Sequence, residues 1–131
     1  MAASSLVQTW RSGQNISSVV LSAVCASGGS FTAVQLNQSI DGFLTRMSII
    51  PSTSATANGL SITLKDEYGV DVLQSLGVAV SATANTDVPI MMSSTKTPPV
   101  ISPFNVLTLA ITGNTNTAAA LTIILYYSSR L

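Results

Sequence analysis

Five carboxylates, one cysteine and no histidine are the side chains in this 131-residue sequence that could move a proton near neutrality, attack a carbon or hold a metal. Three of the carboxylates, Asp66, Glu67 and Asp71, stand close together, and with turn carbonyls they would make an oxygen-rich set of the kind calcium takes. Their spacing matches no twelve-residue calcium loop, so Asp66 is read as the cap of a turn and the other two as solvated. Asp41 and Asp87 are isolated, each at a turn or at the start of a strand; a glycosidase-like acid and base would need folding to bring two such groups together. Serine and threonine are plentiful but have no general base for company. Cys25 lies between Val24 and Ala26 in an apolar run, where a free cysteine behaves as a small hydrophobe. The sequence therefore predicts a chain that is not an enzyme, with no catalytic residue, no metal ligand and no cofactor.

Binding chemistry is equally sparse. Trp10, Tyr126 and Tyr127 could build a sugar-stacking platform of the lectin type, but alternation along a strand sends Tyr127 to the core and Tyr126 to the outer face. Arg11, Arg46, Lys65, Lys96 and Arg130 are scattered and balanced by the five acids, so nothing resembles the basic cluster that neutralises a run of phosphates, and nucleic acid is not expected as a partner. Charged residues are 8% of the chain against roughly 25% in an average soluble domain, which leaves Ser, Thr, Asn and Gln to carry solubility. The run from Ile16 to Ala26 is broken by Ser17, Ser18 and Ser22 and preceded only by Arg11, a poor secretory leader. It is also short of the roughly 18–20 apolar residues of a membrane span. A soluble, unprocessed chain with no membrane partner is the expectation, and the acceptor-like triplet at Asn15 is read as accidental.

The elements that would position any site are strands. Leu60, Ile62 and Leu64 alternate with Ser61, Thr63 and Lys65, which describes a strand with one apolar face. Asp66-Glu67-Tyr68-Gly69 then supplies a turn, and Val70, Val72 and Leu73 a short returning strand, making a hairpin. Earlier in the chain, Leu6 to Trp10, Ile16 to Val24 and Phe31 to Gln38 read as strands, followed by a turn at Asp41-Gly42 and a strand from Phe43 to Ile50 whose core face carries Phe43, Met47 and Ile49. Pro51 to Asn58 is a loop; Val78 to Val80 and Asp87 to Met92 are short extended pieces. Pro98, Pro99 and Pro103 make Ser93 to Pro103 a loop or an edge crossing. Leu107, Leu109 and Ile111 alternate in one strand and Leu121, Ile123, Leu125 and Tyr127 in another, with Gly113 to Asn116 joining them as a hairpin.

Eight to ten short strands and no helix predict an all-β, single-domain antiparallel sandwich, jelly-roll-like, with an immunoglobulin-like sandwich as the alternative. Residues 1–14 would be an N-terminal arm or first strand and 15–131 the sandwich. The stretch from Gly42 to Leu73, with Phe43-Leu44, Ile50-Pro51, Leu60-Ser-Ile62-Thr-Leu64-Lys-Asp66-Glu-Tyr-Gly69-Val-Asp71-Val-Leu73, resembles the capsid decoration or cement proteins of tailed bacteriophages. The likeness continues in style through Phe104 to Tyr127. The resemblance implies a virion structural protein, made in the host cytoplasm. It would oligomerise as a homotrimer, or next a dimer, and bridge neighbouring major capsid proteins on the outer surface of the head. A tail, fibre or baseplate component and a lectin-like carbohydrate-binding module are the alternatives. Residues 1–14 and the loops 51–58 and 93–103 are the expected contact elements.

Overall fold

The computed structural model describes residues 4–13, 16–26, 28–38, 42–52, 60–66, 68–69, 71–73, 85–89, 100–101, 107–114 and 119–128. Among these are nine strands and no helix: β1 (Ser5–Arg11), β2 (Ile16–Val24), β3 (Val34–Gln35), β4 (Gly42–Pro51), β5 (Ser61–Lys65), β6 (Thr86–Pro89), β7 (Val100–Ile101), β8 (Thr108–Thr112) and β9 (Ala120–Ser128). They pair antiparallel in two sheets. The larger has the order β1-β2-β9-β4-β6, with β7 also on β4; the smaller is β3-β8-β5. β6 and β7 divide the outer edge of β4, β6 along Arg46 to Ile49 and β7 against Gly42 and Phe43. The predicted antiparallel sandwich is the fold, and with no helix among the described residues none is long and apolar enough to cross a membrane.

The core follows from alternation compounded with register. In the larger sheet Leu21, Ile123 and Ile49 form one cross-strand row, and Val19, Leu125 and Met47 the next. In the smaller sheet Ile62 faces Ile111 and Leu64 faces Leu109. All ten are buried in a single cluster that also takes in Leu36, Leu44, Leu60, Leu73, Leu107 and Leu121, with Leu6, Trp10, Phe31 and Tyr127 packed at its margin. Side chains from two inner faces interdigitating in this way are what hold a sandwich together.

Four expectations are corrected. β8 and β9 alternate as read, but they do not form a hairpin: β8 pairs with β3 and β5, β9 with β2 and β4. Their apolar faces meet across the core, and the seven residues 113–119 between them reach easily across the roughly 10 Å between packed sheets. On β4 the register shifts between Leu44 and Arg46, and the extra residue of this bulge brings Leu44, which strict alternation would turn outward, onto the core face with Met47 and Ile49. The segment 31–38 contributes only the two residues of β3, extended by a bond from the Leu36 N–H to the Leu107 carbonyl.

The fourth concerns the hairpin after β5. Its turn forms as read: the Tyr68 N–H donates to Asp66 Oδ1 at 2.9 Å, the Gly69 N–H to the Asp66 carbonyl at 3.0 Å, and Gly69 takes a φ of 83°. Its returning strand shrinks to one bridge, Lys65 to Asp71. The Asp71 carboxylate then accepts the N–H groups of Leu64 and Leu73, both at 3.1 Å, doing for β5 what a partner strand's carbonyl would do. Val72 and Leu73 bend into the core instead. The pieces expected at 78–80, at 53–58 and over most of 93–103, with Asp41, Glu67 and Val70, lie outside the described residues.

Candidate interaction face

The alternation that buries one face of the larger sheet presents the other. Across its strands run the rows Arg11-Ser18-Tyr126-Arg46, Thr9-Val20-Ile124-Ser48-Asp87 and Val7-Ser22-Thr122, with Ile50 beside Thr122. Of the five large apolar side chains most exposed among the described residues, Val7, Ile16, Val24 and Ile50 belong to this face; Tyr68, at a turn tip, is the fifth. Serine and threonine fill the spaces between. Arg11, Arg46 and Asp87 are the charges on it among the described residues, and two of them cancel. Away from Arg11, apolar atoms interleaved with neutral hydroxyls can be desolvated without stripping water from an ion, which is the costly step in burying a surface.

Arg46 and Asp87 meet as a fork, Nε to Oδ1 and Nη2 to Oδ2, both at 2.6 Å. Ser48 Oγ donates to Asp87 Oδ1 at 3.1 Å, and the guanidinium lies 5.4 Å from the centre of the Tyr126 ring. The hydrogen bond from Arg46 holds the Asp87 carboxyl below its ordinary range and raises Arg46 in turn. Both side chains are about half exposed, so water screens the pair and it contributes geometry, tying β6 to β4, more than stability. Beside it Arg46, Ser48, Ile50, Asp87, Ile124 and Tyr126 line a shallow cavity of about 230 Å³. Arg46, Ser48 and Asp87 are engaged with one another along its wall, and Asn85 completes the polar part of the lining. The outward parity of Arg46 and Ser48 was legible in the sequence; the pairing with Asp87, 41 residues on, carried no local signal.

The other candidates are dispersed. Trp10 and Tyr127 sit together on the inner side, edge to face with ring centres 6.5 Å apart, and Tyr126 points outward under Arg46, so the three aromatics form no sugar platform. The indole N–H of Trp10 is buried with no partner among the described residues. Asp66 and Asp71 turn their carboxylates to backbone N–H groups, and no cluster of three or more metal-ligating acids, cysteines or histidines occurs among the described residues.

Cys25 is buried beside Asn114, whose Nδ2 donates to the Gly29 carbonyl at 2.9 Å and so links the loop after β8 to the turn after β2. Burial pushes the thiol above its ordinary 9.0 and Tyr127 above its ordinary 10.0, against the smaller opposing effect of a hydrogen bond in each case. Folding then favours the neutral forms, and this stability is whole below those ordinary values and is lost as pH rises through the raised ones. The thermal midpoint is expected to fall above pH 9, and iodoacetamide at pH 8 to label Cys25 in denaturant but not in the folded chain. Equal labelling in both states would put the thiol at the surface. No family model, curated protein or solved structure matches the chain.

Proposed function

We propose that this protein is a capsid decoration or cement protein, a non-catalytic virion component that oligomerises and bridges neighbouring major capsid proteins on the outer surface of a head. The observation that carries the reading is the broad outer face of the larger sheet, where exposed Val7, Ile16, Val24 and Ile50 stand among hydroxyls with almost no net charge. A face of this kind gains from many weak contacts. The strand order supports it by analogy of fold. Chain-distant strands alternate between the sheets, β2-β9-β4-β6 within one and β3-β8-β5 as the other, an interleaving that supports the jelly-roll reading over an immunoglobulin-like one, which keeps its A, B, D and E strands in one sheet and C, F and G in the other.

The test is location. Particles from the protein's native source should carry the chain through sedimentation, and cryo-electron microscopy should place it at repeated positions over the capsid lattice. Chain found at a tail or a single vertex would make it a tail, fibre or baseplate component, and chain that never sediments with a particle would end the proposal.

A further inference from the structure

We propose that β1 is a pairing edge for a second copy of this chain, two β1 strands joining antiparallel about a two-fold axis so that the larger sheets of two protomers become one. β1 hydrogen-bonds to β2 along seven consecutive residues without a register shift, from Ser5 opposite Val24 to Arg11 opposite Ser18. Among the described residues nothing pairs with its other edge. A strand turns every second N–H and C=O outward, and a bare row of these groups is a template for another extended backbone. Proteins that keep such an edge free guard it with lysine, proline or a bulge. β1, Ser-Leu-Val-Gln-Thr-Trp-Arg, has no lysine, proline or bulge, and its one charge, Arg11, stands at its end.

The self-pairing follows from what the other edges lack. At the far side of the larger sheet the edge is split between the four residues of β6, which include Pro89, and the two of β7. Proline cannot donate to a ladder. In the smaller sheet β3 has two residues and β5 already carries the Asp71 bridge on its free side. A bare edge as long as β1 is found, among the described residues, on β1 itself, and one surface meeting its own copy is what a two-fold axis produces.

The register is also self-complementary. Centred on Gln8, whose side chain stays within its own protomer and accepts the Asn37 N–H at 2.7 Å, antiparallel pairing sets Val7 opposite Thr9 of the partner subunit and Leu6 opposite Trp10 of the partner subunit. Arg11 falls opposite Ser5 of the partner subunit, so the two arginines lie at opposite ends of the seam and no like charges meet. Val7, 62% exposed, gains a β-branched neighbour. The two-fold also continues the sparsely charged outer face from one protomer into the next, doubling the surface offered to a partner. This dimer stands independently of the capsid reading, and the three-fold implied by the resemblance gives way to a two-fold here.

Sedimentation equilibrium on the full chain at micromolar concentration tests it, with two double variants of exposed β1 positions. The wild type should have twice the 13.5 kDa chain mass. Val7→Lys with Thr9→Lys sets ammonium groups against each other across the seam and should give single chains that keep the folded circular dichroism spectrum, with a melting midpoint lower only by the lost association. Val7→Lys with Thr9→Glu sets opposite charges there and should restore the dimer, at least tenfold tighter than the lysine pair. A monomeric wild type, an oligomer indifferent to the lysine pair, or equal dissociation by both double variants would overturn the proposal.

Discussion

Replacing Ile123 with Ala is expected to destabilise the fold by about 2–5 kcal/mol, the cost of cutting a large aliphatic side chain out of a packed core. Ile123 is fully buried and is the middle member of a row, with Leu21 on β2 to one side and Ile49 on β4 to the other. The smaller sheet, with Ile111 and Leu109, closes the core opposite it. Each neighbour is held by its own ladder, so the space left by the removed methyl and ethyl groups cannot collapse without shifting three strands. Urea unfolding is the measurement: the midpoint should drop with the slope unchanged. Ile124→Ala, one residue on and turned to the outer face, supplies the control and should lose much less. If the two substitutions cost the same, the strand register is wrong.

Removing the Asp71 carboxylate is the second large effect. One oxygen accepts the backbone N–H groups of Leu64 and Leu73, whose side chains are fully buried. With Asp71→Ala those donors lose their acceptor in a place where water has little access, at a cost of about 2–4 kcal/mol for two bonds to a charged group. Asp71→Asn keeps an oxygen in position and should recover more than half of the loss. If alanine and asparagine behave alike, the contribution of Asp71 is charge and not backbone capping. Calcium addition separates the metal reading, since a midpoint raised by calcium in the wild type and not in Asp71→Asn would make Asp71 a ligand.

What the sequence revealed and what it concealed divide along the range of the interactions. Alternation is local, so the buried faces of β2, β5, β8 and β9 could be read residue by residue, as could the Asp66 to Gly69 turn. Pairing is not local. Nothing within Leu107 to Tyr127 says that β8 and β9 belong to different sheets, although seven intervening residues are long for a hairpin loop. The bulge on β4 did leave a mark: Thr45 and Arg46 are consecutive polar residues between Leu44 and Met47, where strict alternation allows one. Asp71 was read as solvated because a carboxylate taking the place of a strand depends on where the chain bends back, not on its neighbours' types. The outer face was half legible. Its hydroxyls and small charge count follow from composition, but the gathering of Val7, Ile16, Val24 and Ile50 on one surface needs the order β1-β2-β9-β4.

The measurement that bears most directly on the cement role compares particles with and without this chain under heat and at low ionic strength. If the chain clamps capsid subunits through its sparsely charged face, complete particles should survive conditions that open depleted ones. Adding purified protein back should restore the difference, with little dependence on salt because few ion pairs are involved. Equal resistance of the two kinds of particle, or rebinding that collapses as salt rises, would contradict the account.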